Sequence, residues 1–143
     1  MTPRAERTRE ALIDATVAAL REDGSFTTEQ VAGLAGVSVA TVYNRIPEGR
    51  DGLLAGALDR ALFRLVAVTA EALTVEHLLD EGLECVMVAL VDGLVGVFDE
   101  EALVLRSALA RLPESRLLRD AYRHREAEAR ESNRRFVELG QAA

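Results

Sequence analysis

Thr27-Thr28-Glu29-Gln30-Val31-Ala32-Gly33-Leu34-Ala35-Gly36-Val37-Ser38-Val39-Ala40-Thr41-Val42-Tyr43-Asn44 is the stretch that decides how this chain of 143 residues is read. Thr27 followed three residues later by Gln30 forms a capping-box pair, in which the hydroxyl takes a free backbone N–H and the amide reaches back to the cap. A short helix over about 28–35 follows. Gly36 can end it in a left-handed conformation at little steric cost, and Ser38 can cap a further helix over about 39–45. Pro47 and Gly49 close that one. Val31, Ala32, Ala35, Val37 and Val42 supply a small apolar interface, while small polar groups occupy the other positions. Two short helices joined by a Gly-containing turn make a helix-turn-helix arrangement, whose second helix enters the major groove of DNA.

Upstream, Leu12, Ile13, Val17 and Leu20 recur at helical spacing between Ala5 and Arg21, predicting a supporting first helix that breaks at Asp23-Gly24. Downstream the pattern turns to longer, more apolar helices. A fourth is predicted over about 51–73 with Leu54, Leu58, Leu62, Leu65 and Val66 on one side. Thr74 is placed to cap a fifth over about 75–98, whose second half is apolar nearly all round and reads as the central buried element. Asp99 is read as the cap of a sixth helix reaching about Leu112, and Pro113 as the opening of a seventh reaching about Leu139. The predicted fold is all-α with about seven helices. Residues 1–50 form a three-helix helix-turn-helix DNA-binding domain, and residues 51–143 a helical bundle for ligand binding and dimerisation.

The bulk composition narrows the function. Apolar residues make up 49% and aromatics 4%, so the core must be Leu, Val and Ala at helix interfaces. A formal charge of -7 argues against nonspecific coating of nucleic acid, so any DNA contact must be local. All 17 basic residues are Arg. The lone Cys85 excludes an internal disulfide or a multi-Cys zinc site, and reads as a buried small hydrophobe. Met1 to Glu10 carries three Arg and no apolar core, unlike a secretory signal. Cys85 to Phe98 is too short and, with Asp92, too polar for a membrane span, which needs about 20 residues. The expectation is a soluble, cytoplasmic protein.

The order of a Thr, an apolar-Ala pair, Ala-Gly-Val-Ser and Thr-apolar-Tyr, at the spacing seen in Thr27 to Tyr43, resembles the TetR family of transcriptional regulators. The likeness covers the first 60 residues, and the later helices agree in character. It implies a repressor that binds a palindromic double-stranded DNA operator as a homodimer and releases it when a small-molecule effector binds. Thr28, Thr41 and Tyr43 would then hydrogen-bond phosphates, with Arg45 and Arg50 as cationic partners. Val39, Ala40 and Asn44 would face base edges, Asn44 pairing with an adenine and Val39 or Ala40 touching a thymine methyl. Each has a plainer reading beside it. Ser38 is first a cap, Thr28 either a helix-start residue or a contact, and Tyr43 is expected to turn its ring inward and its hydroxyl outward.

The chain also departs from the family pattern. Pro47 to Gly52 makes a link one residue longer than usual, and Arg45-Ile46 stands where His-Phe is common. Residues 1–60 hold seven Arg against nine acidic groups, so affinity would depend on placed Arg and helix N-termini. The family also continues with two more helices after the seventh, so 51–143 reads as a shortened form of that domain.

In the second half Phe63, Val66, Leu83, Met87, Val91, Leu94, Phe98 and Leu105 are candidates to line an apolar effector cavity; each also has an ordinary core reading. His77 and Glu81 have i to i+4 spacing, but a solvated helix start explains them, and no metal or cofactor is expected. No Ser/His/Asp or Cys/His set suggests an enzyme. A competing reading is a helical protein-interaction module that keeps the fold but has lost effective DNA binding.

Overall fold

A computed structural model describes residues 2–142. Among them the secondary structure is all α-helix, in six helices: α1 (Pro3–Asp23), α2 (Thr28–Ala35), α3 (Val39–Arg45), α4 (Arg50–Ala72), α5 (Val75–Arg111) and α6 (Arg116–Ala142). The first three cluster as an N-terminal lobe and the last three as a larger C-terminal one. None of these helices is long and apolar enough to cross a membrane.

Local sequence accounts for the short helices. Thr2 caps α1, accepting the Ala5 N–H at 3.3 Å, and Pro3 starts the helix where its missing N–H costs nothing. At α2 the capping box is complete: Thr27 Oγ1 accepts the Gln30 N–H at 3.1 Å, and Gln30 Oε1 accepts the Thr27 N–H at 2.9 Å. Gly36 closes α2 with φ 68°, and the Val37 N–H donates to the Ala32 carbonyl at 3.0 Å. Ser38 Oγ then accepts the Thr41 N–H at 3.1 Å to start α3.

The core sits where the lobes meet. Leu12, Leu20, Val31, Val42, Leu53, Leu58 and Leu118 are fully enclosed, joined there by Phe26, Ile46 and Val104. Burying each such Leu or Val contributes about 1.5–3 kcal/mol. Thr16 is buried among them with its hydroxyl satisfied, donating to the Leu12 carbonyl at 2.8 Å. Gly52 to Leu58 is a continuous buried run, so the first half of α4 is packed on all sides and serves both lobes.

Ion pairs add cross-links along α4. Arg60 reaches Asp14 of α1, and Arg64 reaches Glu100 and the buried Glu101 of α5. Arg125 of α6 makes a two-pronged contact with Asp59 at 2.8 and 2.9 Å, and its guanidinium lies 5.0 Å from the Phe63 ring centre. The hydrogen bond to Asp59 holds the Arg125 pKa above its ordinary value, with Glu128 adding to it.

Two sequence expectations are corrected. The predicted fifth and sixth helices are one, because Asp99 lies inside α5 and nothing around it interrupts the hydrogen-bond ladder. The irregularity falls earlier, at Gly82, whose φ of 80° and ψ of 163° break the helix after its first two turns. Pro113 lies in the turn after α5, and α6 begins at Arg116 with buried Ser115 accepting the Leu118 N–H. The second correction concerns burial. The stretch of α5 read as the central buried element is largely exposed, with only Val86 and Val97 enclosed, because α4 and α6 cover a single side of it. Cys85 is exposed for the same reason.

Candidate nucleic-acid interface

The α2–turn–α3 unit is held from behind by α1, with Val31, Ala32 and Val42 buried against Leu12 and Leu20. This packing leaves one side of α3 outward. Ala40, Tyr43 and Asn44, at i, i+3 and i+4, share that side and are exposed, with Arg45 beside them. Val39 and Thr41 are half-buried, and Val42 alone on α3 is fully enclosed.

The hydroxyls are partly engaged. Ser38 Oγ and Thr41 Oγ1 lie 2.9 Å apart and share a hydrogen bond while Ser38 also caps α3. Both remain on the surface. Thr28 is different: at 7% exposure its side chain is withdrawn into the start of α2. Tyr43 is 48% exposed, and its ring lies over Gly49 rather than in the core.

Gly49 has φ 61° and ψ -127°, backbone that other residues adopt only under strain, and a Cβ there would stand 2.9 Å from Tyr43 Cε1. It begins α4 without a side-chain cap, after a turn closed by the Gly49 N–H on the Ile46 carbonyl at 3.0 Å. The longer link is thus absorbed in a tight turn. Arg50 follows at the first position of α4, where its Nε donates to the Phe26 carbonyl at 3.3 Å and its guanidinium stacks 4.8 Å from the Phe26 ring centre. It is exposed but tied to the protein.

The structure therefore gathers Ser38, Ala40, Thr41, Tyr43, Asn44 and Arg45 on one surface, with Val39 at its edge. Arg50 is held by Phe26, and Thr28 lies below the surface. Behind this surface, Arg9, Arg45, Glu48, Asp59 and Asp120 edge a cleft of about 290 Å³ between the lobes. Its groups come from helices far apart in the chain, and no local pattern announces them.

The eight candidate effector residues are not brought together. Phe63 and Val66 help line a cavity of about 600 Å³ between α4, the α4–α5 turn and α6, with Leu73, Phe136 and Leu139 as apolar walls and Glu128, Glu131 and Arg135 at its rim. Leu105 is buried in the core near the N-terminal lobe. Leu83, Met87, Val91 and Phe98 are exposed on α5, and Leu94 is half-buried there.

Compared with protein-family models, with curated proteins and with solved structures, the chain has no match.

Proposed function

We propose that this chain is a sequence-specific DNA-binding transcriptional regulator of the helix-turn-helix type, resembling the TetR repressors, with α3 as the reading helix. The observation that carries this reading is the shared outward side of Ala40, Tyr43 and Asn44, on a short helix capped by Ser38 and braced by α1. A braced helix with its apolar side inward can enter a major groove without unfolding, Asn44 facing bases and the Tyr43 hydroxyl facing phosphate. The apolar cavity between α4 and α6 suits a small apolar effector that prefers one arrangement of the lobes.

The charge of -7 favours a second reading, a helical interaction module that no longer binds DNA well. Selection from random duplex DNA, followed by titration against salt, separates the two. The regulator enriches a palindrome, and its affinity falls steeply as salt rises; an absence of enrichment at low salt refutes it. Asn44→Ala should relax preference at one base position, while Tyr43→Ala should weaken all sequences alike.

A further inference from the structure

The side of α5 that the rest of the fold leaves uncovered has a regular pattern. Beyond Gly82, Val88, Val91, Val95, Phe98 and Ala102 succeed one another in alternating steps of three and four, and Leu109 continues the line one heptad on. The five large residues of this line are each 51–56% exposed. Only the intervening Leu105 is turned into the core. Alternating steps of three and four keep an apolar seam facing a second helix along its whole length. A helix that merely capped its own bundle would hide such a seam.

We propose that the seam binds a second copy of this chain, α5 against α5, antiparallel about Val95. Exposure supports that occupant: five large apolar side chains, each about half exposed along one line, make a more continuous apolar strip than the scattered apolar residues of an ordinary monomer surface. Charge supports the register. Glu84 and Arg106 lie eleven residues to either side of Val95, close to the same line, so each meets the other residue of the second copy. Asp92 approaches Asp99 of the second copy along one edge and offsets those pairs, so the apolar seam carries the affinity and the charges select the register. The acidic edge also disfavours nucleic acid or an anionic lipid surface as the occupant.

The pairing stands on the seam alone, while its use in spacing two reading helices rests on the proposed DNA binding. Val104 and Ala108 carry α5 into the N-terminal core nine and thirteen residues beyond Val95. At about 1.5 Å per residue the two points of attachment lie about 27–39 Å apart, which brackets the roughly 34–36 Å between half-sites one helical turn apart.

Sedimentation equilibrium of the full chain without DNA tests the pairing. The wild type should sediment at twice the chain mass at micromolar concentration, and Val91→Glu with Phe98→Glu should give a monomer of unchanged helical circular dichroism. Should that variant unfold, Val95→Ser is the milder probe, expected to weaken association at least tenfold. Arg106→Glu should weaken it similarly, and adding Glu84→Arg in the same chain should restore it. A monomeric wild type, or a dimer indifferent to the seam substitutions, overturns the proposal; failure of the charge exchange to restore association overturns the antiparallel register. A dimer that selects no DNA leaves the seam standing and removes the DNA reading instead.

Discussion

Replacing Gly49 by Ala should destabilise the fold by about 2 kcal/mol, nearly all of it backbone strain. At φ 61° and ψ -127° the residue lies outside the left-handed helical well that Asn or Asp tolerates, so a Cβ brings strain that no neighbour can relieve. The added methyl would also stand 2.9 Å from Tyr43 Cε1. That contact is the smaller contribution, because a ring 48% exposed can swing toward solvent. For a chain of this size about 2 kcal/mol corresponds to a melting point lower by roughly 6–10 °C. Urea unfolding of the wild type, Gly49→Ala, Tyr43→Ala and the double variant measures both parts. The coupling between the two sites should stay below about 1 kcal/mol, since removing the ring relieves the clash and leaves the strain. A Gly49→Ala protein within about 0.5 kcal/mol of the wild type would refute the argument from backbone conformation, and a coupling equal to the whole loss would reassign it to the ring. On the proposed DNA reading, the same variant should also weaken binding to selected duplex DNA beyond its stability cost, because Tyr43 loses its seat.

Thr27→Ala removes one half of the α2 capping box and should cost about 1 kcal/mol in urea unfolding; Thr27→Ser, which keeps the acceptor, should recover most of it. Leu58→Ala opens a cavity at a fully enclosed site and should cost about 2–5 kcal/mol, and a loss under 1 kcal/mol would mean that α4 is not the packed element described. The hydrogen bond from Arg64 holds the Glu100 carboxyl below its ordinary range, so the unfolded chain takes up that proton first as pH falls. The pairing's contribution is therefore complete above about pH 4.3 and is lost as pH drops through the depressed folded value, and Glu100→Gln should flatten that part of the curve of urea midpoint against pH.

Punctuation residues made the N-terminal half legible. Thr27, Gln30, Gly36 and Ser38 each satisfy or end a specific backbone group, and α2 and α3 span the predicted residues. Asp99 misled because an acid before an apolar run has the composition of a cap, yet capping needs a break in the helix, and residues 98–101 contain no Gly or Pro to make one. Gly82 was the real interruption, hidden among good helix formers. The apolar character of the second half of α5 was visible, but composition alone does not say which neighbours cover a helix, so an all-round apolar stretch read as buried although α4 and α6 cover one side of it. The same ambiguity scattered the effector candidates: Phe63 and Val66 edge the cavity, while Leu83 and Phe98 face outward. For the DNA-reading candidates, the surface position of Asn44 follows from helical spacing, whereas the tether of Arg50 to Phe26 spans 24 residues and has no local signature.

Because the first half of α4 is sealed into the core below and Arg60 and Arg64 lock it to α1 and α5, the helix behaves as a keyed shaft. Each residue inserted between Leu58 and Val66 would turn everything above it by about 100° and lift it about 1.5 Å. A single insertion would therefore turn the second half of α4 out of line with α5 and α6, which the core holds independently, whereas three or four would come close to restoring it. Length variation in this protein should be tolerated in the turns after Asp23 and Arg111 and counted in whole helical turns along α4.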